Sequence, residues 1–141
     1  MKYVSALGLD IGRKRIGVAG CDRSGLIATG LTTLEHCSFR EVVEHLQALV
    51  EERQVETLVV GLPYTMAGQE GFQARRVKKF AQRLSRALNL DLAYVDERLT
   101  SVEAEQLIQA ERRSPSRNKA LIDRKAAAII LQQWLDDQRI R

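Results

Sequence analysis

Residues 7–19, Leu7-Gly8-Leu9-Asp10-Ile11-Gly12-Arg13-Lys14-Arg15-Ile16-Gly17-Val18-Ala19, hold two apolar runs split by a basic, glycine-marked turn. The first run belongs to a strand over 3–10 and the second to a strand over 15–21, close enough to pair as a hairpin through Arg13-Lys14-Arg15. The first strand ends on a carboxylate, Asp10, followed by Ile11-Gly12. An acid at a strand's carboxyl end, beside a glycine that permits close approach, stands where α/β sheets place their ligands. The competing reading is a plain turn aspartate, since Asp is common in turns.

Downstream, 26–34 (LIATGLTTL) is a third strand, rich in β-branched residues. Ser38 with Glu41 three residues on makes a capping box, and Val42, Val43, Leu46, Leu49 and Val50 then repeat at helical spacing. Strand and helix now alternate: a strand over 55–61, a helix from Gln73 to Leu88 facing inward with Val77, Phe80, Ala81, Leu84 and Leu88, and a strand over 90–96. Thr100 and Glu103 form a second capping box, opening a helix to Glu111. A basic loop from Arg112 to Lys119 precedes a last helix over 120–137. A three-stranded antiparallel meander followed by αβ crossovers predicts an α/β fold, a mixed sheet flanked by helices.

No repeat or linker divides the 141 residues, so 1–141 is expected to be one domain. The balance of 45% hydrophobic and 28% charged residues is that of a globular chain and excludes disorder. Cys21 and Cys37 make neither a metal-ligand pair nor a disulfide framework, and the short apolar start is no signal peptide. No run could span a bilayer, so a cytoplasmic protein without membrane contact is expected.

Two further acidic positions join Asp10. Asp96 and Glu97 end the strand over 90–96, and side-chain alternation allows at most one of them to share the face of Asp10. A surface pair at a helix start is the other reading. Asp123 lies on the apolar stripe of the last helix with Ala127, Ile130 and Trp134. A charge on that stripe is costly unless it binds metal, pairs with an arginine such as Arg98, or reaches solvent near the helix start. Three converging acids would repel as bare anions, and hard carboxylate oxygens suit Mg²⁺ or Mn²⁺. Two such ions about 3.5–4 Å apart would clamp the attacking and leaving oxygens of a phosphodiester. The candidate catalytic residues are therefore Asp10, Glu97, Asp123 and Asp96, with Asp10, Glu97 and Asp123 as metal ligands. No histidine, G-x-S-x-G or P-loop constellation offers a rival chemistry.

The net charge is +4, and its distribution matters more than its size. Between Gly71 and Asn89 stand Arg75, Arg76, Lys78, Lys79, Arg83 and Arg86 with no acid, whereas the first helix carries Glu41, Glu44, Glu51 and Glu52. A polyanion partner follows, with Arg13, Lys14, Arg75, Arg76 and Lys79 guiding the backbone and Arg98 balancing charge or holding a phosphate. A merely polarised soluble surface is the alternative. Aromatics are 5% of the chain, so backbone shape rather than base stacking should set binding.

At this point the chain resembles the YqgF family, also called RuvX, of RNase H-like nucleases. The resemblance rests on LGLDIGRKRIGVA (7–19), VVGLPYTMAG (59–68), ARRVKKFAQRL (74–84), DERLTSVEA (96–104) and IDRKAAAIILQQWL (122–135), five loose motifs in the family's order. It implies the RNase H-like fold with a five-stranded mixed sheet, and acids at Asp10, the Asp96-Glu97 pair and Asp123. Family members often carry Asn-Met-Asp-Gly where this chain has Thr65-Met66-Ala67-Gly68. The similar RuvC resolvases place a further acid where this chain has Ala126. The functions implied are processing of the 5′ end of pre-16S rRNA and, alternatively, Holliday junction resolution.

Two other classes compete. Asp10-Ile11-Gly12 with Gly17 resembles the first phosphate motif of actin–hexokinase ATPases, but those need two lobes and 141 residues supply one. A non-catalytic binding module would keep the charge pattern without the acids, and all three acidic positions are intact. The expectation is a metal-dependent endonuclease of structured nucleic acid. RNA is favoured over branched DNA because Ala126 replaces an acid and no helix shows the second apolar stripe of a large obligate interface.

Overall fold

The computed structural model describes residues 4–63, 71–97 and 119–140. Its elements run β1 (Ala6–Ile11), β2 (Arg15–Cys21), β3 (Ala28–Glu35), α1 (Phe39–Arg53), β4 (Thr57–Leu62), α2 (Phe72–Leu88), β5 (Asp91–Asp96) and α3 (Lys119–Ile140). The five strands form one sheet in the order β3-β2-β1-β4-β5. β1, β2 and β3 pair antiparallel, and β4 lies parallel to both β1 and β5. This is the mixed sheet expected. The helix expected from Thr100 to Glu111 and the basic loop from Arg112 lie outside the described residues.

Local chemistry sets the boundaries. Ser38 caps α1: its hydroxyl accepts from the Glu41 N–H while the Glu41 carboxylate accepts from the Ser38 N–H. Gln54 and Asn89, in left-handed conformation, end α1 and α2. The third strand starts at Ala28, two residues later than expected. The Asp22 carboxylate accepts from the N–H groups of Leu26 and Ile27 at 2.9 and 2.8 Å, holding both in the turn after β2. That capture outweighs their β propensity and leaves them exposed.

The pleat sorts the core into two layers. Leu7, Leu9, Ile16, Val18, Leu58, Val60 and Leu62 face α1 and α2, meeting Val42, Leu46, Val77, Ala81 and Leu84. Ala6, Ala19, Val59 and Val95 face α3 and meet Ala127, Ile130, Leu131 and Leu135. The α3 face is built of small residues, and the helix lies directly on it. A Cβ at Gly8 would come 2.6 Å from Leu131 Cβ, and one at Gly17 would come 1.9 Å from the Asp123 carbonyl oxygen. Burying each Leu or Ile of α3 contributes about 1.5–3 kcal/mol, and the close approach depends on the two glycines.

Candidate active site

Asp10 stands one residue from the end of β1, directly opposite Gly17 of β2. Gly17 is also where the first turns of α3 touch the sheet, so the pairing brings the backbone of Asp123 beside Asp10. Glu97 follows the last residue of β5. Val95 packs on the α3 face and Tyr94 on the α2 face, so alternation sends Asp96 with Tyr94 and returns Glu97 to the face of Asp10. The Glu97 carboxyl makes a side-chain hydrogen bond with Asp10. Of the two acids ending β5, Glu97 is the one that meets Asp10.

Gly61 of β4 makes room between the two strands. A Cβ there would lie 2.7 Å from Glu97 Oε1 and 2.5 Å from Ile130 Cδ1. Burial raises the Glu97 carboxyl above its usual range; the hydrogen bond with Asp10 acts downward and the charge of Asp96 upward. The site is thus a partly dehydrated carboxyl pair at the carboxyl ends of β1 and β5.

Asp123 does not join that pair. Its Oδ2 accepts from Arg15 Nε at 2.7 Å, with the two side chains 21% and 29% exposed. Among the described residues no group of three or more acidic, histidine or cysteine side chains forms a metal cluster. The expected stripe is present, since Ala127 and Ile130 are buried on the same helix. Arg15 neutralises the acid; Arg98 lies outside the described residues. The sequence groups Arg15 with the basic turn. In the fold it is the first residue of β2, opposite Glu35, and only half-exposed.

The basic residues divide. Arg13 and Lys14 are exposed on the β1–β2 turn, and Arg75 and Lys79 are exposed on α2. Arg76 is half-buried and faces the turn, where it lines one cavity with Arg13 and Lys14. Lys78 lies over the Tyr94 ring, 5.4 Å from its centroid, and the Arg83 guanidinium lies 4.0 Å over Phe39. Part of the basic run therefore serves packing.

The model of the RuvX family, described as Holliday junction resolvase, matches residues 4–137. A relative from Trichormus variabilis, named "Putative pre-16S rRNA nuclease", is 68% identical over 138 residues, covering 98% of this chain and 91% of the relative. One of the same name from Crocosphaera subtropica is 62% identical over 139 residues, covering 99% and 97%. Among solved structures, Thermus thermophilus RuvC in complex with a Holliday junction substrate superposes with a TM-score of 0.62 at 11% identity, covering 97% of this chain and 96% of that one. Fowlpox virus resolvase with Holliday junction DNA gives 0.57 at 10% identity, covering 96% and 99%. At such identities the structural likeness speaks for the fold, which is RNase H-like.

Proposed function

The chain belongs to the RuvX family of Holliday junction resolvases, and on that premise we propose that it is a metal-dependent endonuclease processing the 5′ end of the pre-16S rRNA. The observation that carries the chemistry is the Asp10–Glu97 pair, two carboxyls in hydrogen-bond contact at the carboxyl ends of β1 and β5. Such a pair needs a shared proton or a cation between its oxygens. The hard, partly dehydrated donor set fits Mg²⁺ or Mn²⁺. Asp10 and Glu97 would hold the metal, with Asp123 as the third ligand on exchanging Arg15 for it. When bound, the metal would acidify a water and polarise the scissile phosphate.

The protein's own groups do the rest. Gly12 closes the turn tightly, since a Cβ there would lie 2.8 Å from the Arg15 carbonyl oxygen, and so holds Arg13 and Lys14 at the end of β1. Arg13, Lys14, Arg75, Arg76 and Lys79 attract the polyanion, with Arg98 as a further contact. Arg15, freed from Asp123, is placed to neutralise a phosphate oxygen. The names of the highly identical relatives support RNA as the substrate, and an rRNA precursor places the work in the cytoplasm. The family description favours a second reading, resolution of four-way DNA junctions.

One experiment tests both readings. Purified protein receives equal concentrations of precursor rRNA and a mobile four-way junction, with Mg²⁺, Mn²⁺ or chelator. Cleavage of the precursor is expected to require metal and to be lost in Asp10→Asn and Glu97→Gln, which still bind RNA. Unchanged turnover in either variant removes that residue from the site. Faster, symmetric paired nicking of the junction, lost in Asp10→Asn, overturns the RNA reading.

A further inference from the structure

On the other side of the sheet from the acid pair, between the β1–β2 turn and α2, lies an open cavity of about 100 Å³. Gly12, Arg13 and Lys14 form one wall, Arg76 and Phe80 of α2 another, and Cys37 closes it toward α1. Among the described residues no acidic side chain lines it. The Nε of Arg76 is buried in the fold without a hydrogen-bond partner among the described residues. A buried guanidinium N–H left unmade costs the desolvation of that group, about 1–3 kcal/mol or more, so its natural complement is an anion. At the start of α1 the capping box takes the Ser38 and Glu41 N–H groups.

Size narrows the ligand. A cavity of about 150 Å³ admits a benzene ring. At about 100 Å³, this one has room for a phosphate-sized group. Planar Arg76 supplies the fork that suits phosphate, and Arg13 and Lys14 supply charge at the mouth. Gly12 follows β1, two residues after Asp10 and roughly 7 Å of extended chain away, so one nucleic-acid strand crossing the sheet's end reaches both sites.

We propose that this cavity seats one phosphate of the bound nucleic-acid strand, a phosphate other than the one cut, with Arg76 as its main contact. The inference rests on Asp10–Glu97 being the cleavage centre; the seat then sets which bond along the strand meets the acids. The tests read binding in chelator, so a chain that cleaves nothing fails the proposed activity while these measurements still report on the seat.

A structured RNA oligonucleotide carries a methylphosphonate at one position at a time. Binding of each to the full chain is measured by fluorescence anisotropy. One position is expected to weaken wild-type binding by about tenfold, the worth of one charge-assisted hydrogen bond, and to have no effect in Arg76→Gln. Arg76→Lys, which keeps the charge without the fork, retains part of the penalty. In the unmodified protein, labelling of Arg76 by the ring-free dicarbonyl 2,3-butanedione, read by peptide mass spectrometry, is expected to be blocked by the RNA. Inorganic phosphate, compared with chloride at equal ionic strength, distinguishes a free-anion site. If phosphate raises the melting temperature but no position in the scan depends on Arg76, the cavity takes free phosphate and the proposal fails. It fails equally if RNA leaves Arg76 open to 2,3-butanedione.

Discussion

Two carboxyls in hydrogen-bond contact cannot both ionise without a third party, and Asp10–Glu97 are so placed with Glu97 raised by burial. The strand-end position of Asp10, the following glycine and the acids ending β5 are local patterns legible in the chain, but which of Asp96 and Glu97 meets Asp10 is decided only by the fold. The partner of Asp123 is not legible there either, because Arg15 lies 108 residues away in sequence and no local spacing encodes the contact. An isolated Asp123 would burden the metal-free fold, and its removal would then be neutral or stabilising. With the Arg15 partner in place the sign reverses. In chelator, Asp123→Ala and Arg15→Ala are each expected to lower unfolding free energy by about 1 kcal/mol, with a coupling of similar size for a half-exposed pair. A denaturation double-mutant cycle checks it. Additive losses would mean that the two side chains act separately.

The turn between β2 and β3 shows where local reading reaches its limit. Leu26 and Ile27 have strand composition, yet one carboxylate, Asp22, draws their N–H groups out of the ladder. That competition is between a side chain and a backbone partner, and hydrophobic periodicity does not register it. By contrast Ser38–Glu41, Gln54 and Asn89 bound their helices by chemistry visible in the sequence. Accepting from Ile27 N–H first, then Ser24 and Leu26, lowers the Asp22 carboxyl to about 2 from 3.8. A carboxylate whose folded value is depressed stabilises above its unfolded value and loses that contribution as pH falls through the folded one. Wild type is therefore expected to melt above Asp22→Asn by a constant margin at about pH 5 and higher. The margin should shrink between pH 3.8 and about 2. A margin independent of pH would show that the turn is held without the charge.

Across the whole molecule, the two helices on one side of the sheet carry opposite signs. Glu41, Glu44, Glu51 and Glu52 are exposed on α1, and Arg75, Lys79, Arg83 and Arg86 are exposed on α2. Counting charge along 71–89 treats the basic run as one surface, whereas wrapping it on a helix separates solvent-facing cations from packed ones. Arg75 and Lys79, at i and i+4, project together into solvent, while Lys78 is half-buried against Tyr94. The solvent-facing cations are placed to displace counterions from a nucleic acid, whereas Lys78 is held against Tyr94. Reversing Arg75 and Lys79 to Glu is therefore expected to weaken binding to all sequences alike. The slope of log affinity against log salt should flatten by about one unit for each phosphate the protein no longer neutralises. Lys78→Gln should leave that slope in place and instead lower stability by about 0.5–1 kcal/mol, the worth of an exposed cation–π interaction. Anisotropy titrations over a range of salt, set beside thermal melts of the same proteins, separate the two effects. A slope unmoved by the double reversal, or flattened as much by Lys78→Gln, would shift the nucleic-acid surface away from the outer stripe of α2.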